Sequence, residues 1–184
     1  LAGFNLKTPV ESFHQHSQGK IARIIEELKN GVEIAYVTDA GTPGIQDPGG
    51  LLVVAAREAS VQVIPIPGPS AVTALLSVAG VNTDRFYFAG YVPTKKGRQT
   101  FIKKMLDRDE PVVFFETAPR LHKSFDQLTE LGGANRTLIV GRELTKKFEE
   151  IQSGTPSELK DYFTKPFNSV QGKLLGEFVL VLTP

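Results

Sequence analysis

The fold is decided by the stretch YVTDAGTPGIQDPGG, residues 36–50. An apolar strand is predicted over residues 32–37, and the Gly, Pro, Asp and Thr residues that follow favour neither a helix nor a strand. We expect Asp47 to cap, and Pro48 to begin, a helix over residues 51–59. A strand that leads through a glycine-rich loop into a helix is how α/β proteins hold a small ligand against backbone amides. The alternative is a tight turn without a ligand, although such turns are usually shorter.

The composition excludes several kinds of site. The 184 residues include 21 Lys and Arg against 20 Asp and Glu, so any affinity for nucleic acid must come from local basic clusters. Because the chain has no cysteine, it has no disulfide, thiolate metal site or cysteine nucleophile. No segment resembles a membrane span or a signal peptide. We therefore expect a soluble, cytoplasmic protein with one large domain or two small ones.

A second loop resembles the first in construction. Residues 61–66 predict a strand that runs into PGPSA, residues 67–71, where Ser70 is placed to cap a helix over residues 72–79. The carboxyl ends of parallel strands lie at the same edge of a sheet, where ligands bind. We therefore expect both loops to contribute to one pocket.

Residues 92–97 are predicted to be a linker between an N-terminal domain, 1–91, and a C-terminal domain, 98–184. They contain Pro, Gly and charged residues without periodicity. With Arg98 they also form the most basic short stretch, through Lys95 and Lys96. A loop that contacts phosphates and a solvated linker both remain open.

The second predicted domain repeats the α/β alternation. Buried strands are expected over residues 112–115, 137–140 and 178–182, and Thr155 begins a capping box. The first two of these strands end in charged residues at the edge where we expect the loops to gather. We favour a functional role for this convergent set over surface decoration. Its members are Glu116, Arg120, Arg142, Glu143 and Lys146.

Several common activities lack their motifs. The chain has neither the phosphate-binding loop of P-loop NTPases nor the Gly-x-Gly-x-x-Gly of dinucleotide-binding proteins. Ser70 lacks the closing glycine of a nucleophile elbow. His14 and His16 have no third ligand nearby in the sequence, so we expect no metal site.

Four segments resemble the ribosomal RNA small-subunit methyltransferase I family of the tetrapyrrole methylase superfamily. In order they are residues 38–49, 67–71, 114–120 and 142–146. The resemblance implies two α/β domains with a cofactor cleft between them, S-adenosylmethionine as cofactor and a homodimer in the bacterial cytoplasm. It also implies 2′-O-methylation of a cytidine in the 16S ribosomal RNA of the 30S subunit. The family usually has a further strand and loop before this segment and an extension after it, so we expect a fragment of a longer chain.

The resemblance and the chemistry of methyl transfer suggest roles for individual residues. Methyl transfer from a sulfonium needs positioning, and a ribose hydroxyl needs a proton acceptor or a polarising partner. Candidates for that acceptor are Glu116, Glu143 and Asp39, in no order. The cofactor-binding candidates are Asp39, Ala40, Gly41, Thr42, Ile45, Ser70, Ala71, Glu116 and Leu144. The RNA-binding candidates are Lys95, Lys96, Arg98, Arg120, Arg142 and Lys146.

Two other functions remain open from the sequence. The nearer is C-methylation of a tetrapyrrole, although corrin and porphyrin methylases have Gly-Asp-Pro where this chain has Gly41-Thr42-Pro43. The other is a noncatalytic module that binds RNA or a nucleotide.

Overall fold

The computed structural model describes residues 7–14, 18–39, 41–165, 169–170 and 173–184. The chain divides into two compact units, Leu1–Pro69 and Ser70–Pro184. The domain boundary at residues 92–97 stays a prediction. No helix in the described part of the chain is long and apolar enough to cross a membrane.

The first unit contains helices α1 (Gln18–Lys29) and α2 (Gly50–Glu58), and α2 confirms the helix predicted over residues 51–59. Helix α1 ends two residues before Gly31, which adopts a φ of 85°. The amide of Val32 then donates to the carbonyl of Glu27 at 3.1 Å, which closes the last turn of the helix.

Three predictions for the first unit are wrong. Residues 32–37 and 61–66 are not strands: all strands of the described residues lie in the second unit. An apolar segment becomes a strand only when a neighbour supplies ladder hydrogen bonds, and Val37 and Ile66 are instead 68% and 76% exposed. Asp47 and Pro48 do not start α2 either, because Gly49 occupies the N-cap position with a φ of 133°.

The second unit is built on a five-stranded sheet. Its strands are β1 (Tyr87–Tyr91), β2 (Val112–Thr117), β3 (Leu138–Arg142), β4 (Glu150–Gly154) and β7 (Glu177–Leu182), in the order β1-β2-β7-β3-β4. Of the described strands, only β1 and β2 pair in parallel, and β7 runs antiparallel to both of its neighbours. A separate two-stranded sheet joins β5 (Ser169–Val170) and β6 (Lys173–Leu174). The mixed helices and sheet confirm the predicted α/β class.

The described part of the second unit contains the α-helices α3 (Ala71–Val78), α4 (Arg98–Leu106), α5 (Ala118–Leu128) and α6 (Pro156–Thr164). A short π-helical segment, Thr129–Gly133, continues from α5. The capping box predicted at Thr155 is present: the backbone amide of Glu158 donates to the Thr155 hydroxyl oxygen, and the Glu158 carboxylate accepts from the Thr155 amide.

The strand β7 lies at the centre of the core. Its alternate residues pack on opposite faces, so Leu180 joins the side chains of α4, α5 and α6, whereas Val181 joins those of α3. Because β2 and β3 both run antiparallel to β7, they point in the same direction. Glu116 and Arg142 each pair with Phe178, so the strands deliver their charged ends to one edge of the sheet.

Candidate functional site

The first loop, residues 38–49, contacts the second loop, residues 67–71, at Pro69. The Thr42 amide donates to the Pro69 carbonyl at 2.9 Å, and the Thr42 hydroxyl donates to the same oxygen at 3.1 Å. Gly41 has a φ of 98°, and a Cβ at this position would lie 2.6 Å from that oxygen. Only glycine permits this approach, so the predicted partnership of the two loops has a physical contact within the first unit.

The other end of the first loop is closed against Tyr36. A Cβ on Gly49 would lie 2.7 Å from a ring carbon of Tyr36, whose hydroxyl donates to the Pro48 carbonyl at 2.8 Å. Burial raises the pKa of Tyr36, and the neighbouring Asp47 carboxylate raises it further. These contacts hold the loop at the start of α2.

The remaining predicted cofactor residues occupy different settings. Ile45 is 55% exposed at the tip of the loop. Ser70 occupies the predicted N-cap position of α3, next to Ala71, but its side chain does not cap the helix. Leu144 packs against Gly141 and helps to cover the α3 face of the sheet. Ala40 lies outside the described residues, as does His16 of the paired histidines.

Glu116 lies in a buried polar cluster, and its side chain is fully enclosed. One carboxylate oxygen accepts from Arg98 at 3.0 Å and from the Ser124 hydroxyl at 2.6 Å. The other oxygen pairs with Arg120 at 2.8 Å and accepts from the Thr117 amide at 2.8 Å. Four donors therefore occupy both oxygens of a carboxylate that the sequence offers as a proton acceptor.

Two predicted RNA contacts belong to the same buried cluster. Arg98 is 3% exposed, and its Nε donates to the Gln127 side-chain oxygen at 2.7 Å. Its guanidinium cannot contact RNA while this cluster is intact. Arg120 is more accessible, with 21% of its side chain exposed. Ser124 and Gln127 gave no signal in the sequence, since isolated polar residues on a helix are ordinary.

The predicted Glu143 and Lys146 lie together where β3 ends. The Glu143 carboxylate accepts from the Lys146 ammonium at 3.1 Å and from the Glu177 amide at 2.9 Å. Lys146 also pairs with the Glu177 carboxylate at 2.8 Å. Arg142 points to the Leu175 carbonyl and to Glu150. Sequence reasoning missed Glu177 because a single charged residue at the start of an apolar strand is ordinary.

The electrostatics of this group favour charged forms. The Glu177 amide and then the Lys146 ammonium lower the pKa of Glu143, and Glu177 and Glu143 raise the pKa of Lys146. A carboxylate with a lowered pKa is a weaker base. The position of Glu143 therefore suits an ion pair better than proton abstraction.

Glu143→Gln is expected to reduce the sensitivity of the protein to acid. A carboxyl group with a lowered folded pKa adds stability above its unfolded pKa, about 4.3, and this stability is lost as the pH falls through the folded value. The wild type should therefore lose unfolding free energy more steeply below about pH 4.5 than the variant. Urea unfolding across this range measures the difference, and parallel pH curves would contradict it.

The basic loop, residues 92–97, presents Lys95 and Lys96 to solvent. Its first residue, Val92, is 1% exposed, and its last residue, Gly97, turns into α4 with a φ of 80°.

Among the described residues, no group of acidic, histidine or cysteine side chains is arranged to hold a metal ion.

Residues 2–160 match the family described as Tetrapyrrole (Corrin/Porphyrin) Methylases. The chain belongs to the tetrapyrrole methylase family. Several relatives are named ribosomal RNA small subunit methyltransferase I. The relative from Xylella fastidiosa is 39% identical to this chain, and the alignment covers 99% of this chain and 66% of the relative. The relative from Synechocystis is 40% identical with 64% of its length covered, and that from Leptospira biflexa is 39% identical with 71% covered.

These relatives confirm the family resemblance drawn from the four motifs. This tetrapyrrole methylase chain spans slightly less than two thirds of the length of the first relatives, 66% and 64%. The covered part holds both loops and the buried cluster.

Solved structures show the same fold. Diphthine synthase has a TM-score of 0.67 and 18% identity, with 95% of this chain and 68% of that chain covered. Uroporphyrin-III C-methyl transferase from Thermus thermophilus, complexed with S-adenyl homocysteine, has a TM-score of 0.56 and 15% identity, with 94% and 77% covered. The tetrapyrrole methylase fold is thus shown by structure as well as by sequence.

Proposed function

We propose that this protein transfers a methyl group from S-adenosylmethionine to the 2′-hydroxyl of a cytidine in 16S ribosomal RNA. The observation that carries the proposal is the contact of Gly41 and Thr42 with Pro69, inside two motifs of the methyltransferase family. We place the reaction on the 30S subunit, in the cytoplasm, and we assign it to a homodimer.

Sequence similarity supports RNA over a tetrapyrrole as the substrate. The relatives named as ribosomal RNA methyltransferases share 39% and 40% identity with this chain. The uroporphyrin-III enzyme with bound S-adenyl homocysteine shares 15%. Gly41-Thr42-Pro43, in place of Gly-Asp-Pro, agrees with this choice.

The first loop fits the cofactor in its backbone chemistry. Gly44 has a φ of 83°, and a Cβ there would meet open space, so a ligand could approach this backbone closely. Gly41 and Thr42 fix the loop against Pro69, and Ile45 offers an exposed apolar surface. When bound, S-adenosylmethionine supplies an activated methyl group. We assign cofactor binding to these residues with Asp39, Ala40, Ser70, Ala71 and Leu144.

Asp39 is the strongest of the three candidate proton acceptors. It is exposed near the start of the first loop, and no described residue makes a hydrogen bond or ion pair with its carboxylate. Glu116 is occupied by four donors, and the pKa of Glu143 is lowered. Asp39 would therefore orient the ribose hydroxyl or accept its proton.

The test is to incubate full-length protein with labelled S-adenosylmethionine and 30S subunits that lack the modification. Label should appear in one 2′-O-methylcytidine when the RNA is digested and its nucleosides are mapped. A parallel reaction with uroporphyrinogen should remain unlabelled. Label in the tetrapyrrole would show that the substrate is a tetrapyrrole and that the proposed RNA substrate is wrong. Binding of cofactor or RNA without methyl transfer would indicate a noncatalytic module.

Lys95→Glu combined with Lys96→Glu is expected to weaken RNA binding and flatten its salt dependence. Each lost phosphate contact on single-stranded RNA makes the negative slope of log K against log salt shallower by about 0.7. Titration of labelled RNA at several salt concentrations measures the slope. The control variant combines Lys29→Glu with Lys123→Glu at two exposed lysines elsewhere, and it therefore has the same net charge as the test variant. Equal slopes in the two variants would leave residues 92–97 a plain linker.

A further inference from the structure

We infer that Arg98 is a positioning residue that holds the basic loop, residues 92–97, in the conformation that presents Lys95 and Lys96 to RNA. This inference rests on the proposed RNA-binding function. Arg98 would act through the loop without touching RNA. We call Arg98, Glu116, Arg120, Ser124 and Gln127 the Arg98 cluster.

Both arginines of the Arg98 cluster donate to the backbone of the basic loop. Arg98 Nη1 donates to the Pro93 carbonyl at 2.9 Å, and Arg120 Nη1 donates to the Val92 carbonyl at 3.0 Å. Arg98 itself is the first residue of α4, directly after the loop. The same side chain therefore connects the end of the loop with its beginning.

The other members of the Arg98 cluster fix the orientation of the Arg98 guanidinium through hydrogen bonds. Ser124 accepts from Arg98 Nη2 at 2.6 Å and donates to Glu116, while Gln127 accepts from Arg98 Nε. The partners of Arg98 thus come from β2, α5 and the loop. A planar guanidinium can satisfy all of these acceptors at once, whereas a lysine ammonium cannot reproduce the fork.

The geometry separates two functions within one basic run. Lys95 and Lys96 are exposed, but Arg98 is 3% exposed. A phosphate contact requires an accessible charge, and the placement of a loop requires a fixed one. We therefore expect the hydrogen-bond geometry of Arg98 to be needed to hold the basic loop, so that another positive charge at this position does not replace it.

The first experiment compares Arg98→Lys, Arg98→Met and wild type in full-length protein, with titration of labelled 16S RNA at several salt concentrations. Both variants should bind about tenfold more weakly with a flatter salt slope, as when a phosphate contact is lost. A direct contact of Arg98 with phosphate would instead be retained largely by Lys. Near wild-type binding by Arg98→Lys would overturn the inference.

A double-mutant cycle tests whether Arg98 acts through the lysines. In a background of Lys95→Ala and Lys96→Ala, Arg98→Met should cause little further loss of affinity, because the residues that it positions are already gone. A loss equal to that in the wild-type background would show an independent role and overturn the inference.

A second measurement needs no RNA. Trypsin should cleave after Lys95 and Lys96 several times faster in Arg98→Met than in wild type, because the loop opens more often. Ser124→Ala removes one partner of Arg98 and provides a milder variant if Arg98→Met does not fold. Unchanged cleavage in the folded variants would overturn the inference.

Failure of the inference and failure of the proposed function give different results. If the variant with Lys95→Ala and Lys96→Ala binds RNA like wild type, the proposal that the basic loop binds RNA is wrong. If that variant loses affinity while both Arg98 variants match wild type, only the positioning role fails.

Discussion

Gly41→Val is expected to abolish binding of S-adenosylmethionine while the protein remains folded. A Cβ at this position would lie 2.6 Å from the Pro69 carbonyl oxygen, and the backbone φ of 98° disfavours a side chain. The substitution must displace the loop and break the 2.9 Å bond from the Thr42 amide to Pro69. The cost of the backbone conformation alone, about 1–2 kcal/mol, is too small to unfold a typical domain. Calorimetric titration measures the cofactor affinity.

Gly31→Val is the matched control for this substitution. Gly31 also has a positive φ, 85°, but a Cβ there would meet nothing within 4 Å. The control should therefore lose stability from backbone strain and keep its cofactor affinity. Circular dichroism and thermal melting establish that both variants are folded. Unchanged cofactor affinity in Gly41→Val would remove the first loop from the binding site.

The helices were predictable because their signals are local. The apolar face of α1 and its closing Gly31 lie within one short stretch, as do Thr155 and Glu158 at the start of α6. Strand pairing depends on residues that are distant in the sequence, and only some of the strand predictions are therefore correct. The apolar runs of β2 and β7 found partners, whereas residues 61–66 have a similar run but are not a strand. The sequence of β4, EIQSG, has the polar character of an exposed edge and escaped prediction.

The candidate site shows the same division between local and long-range information. Two glycine- and proline-rich loops predicted a shared position, and the contact of Thr42 with Pro69 supports it. Lys95, Lys96 and Arg98 form one basic run, which predicts a single role. Arg98 is buried because Glu116 and Gln127, distant in sequence, are brought to it by folding.

Glu116→Leu is expected to lower the free energy of unfolding by about 3–5 kcal/mol, because it leaves a buried arginine without its counter-charge. Arg98 and Glu116 are 3% and 0% exposed in their side chains, so water cannot replace the lost partner without opening the core. Arg120 is less affected, since its side chain is 21% exposed and can turn toward solvent. Urea unfolding at neutral pH measures the loss.

Two further variants separate the cost of an unpaired charge from the contribution of the pair. Asp126→Leu breaks an ion pair with Lys160 whose side chains are 45% and 41% exposed, and it should cost no more than about 1 kcal/mol. Arg98→Met combined with Glu116→Leu removes both buried charges and should be more stable than Glu116→Leu alone by about 1–4 kcal/mol. If the double variant were less stable than the single one, the cluster would contribute to stability as a pair, and the penalty would not come from the stranded charge of Arg98.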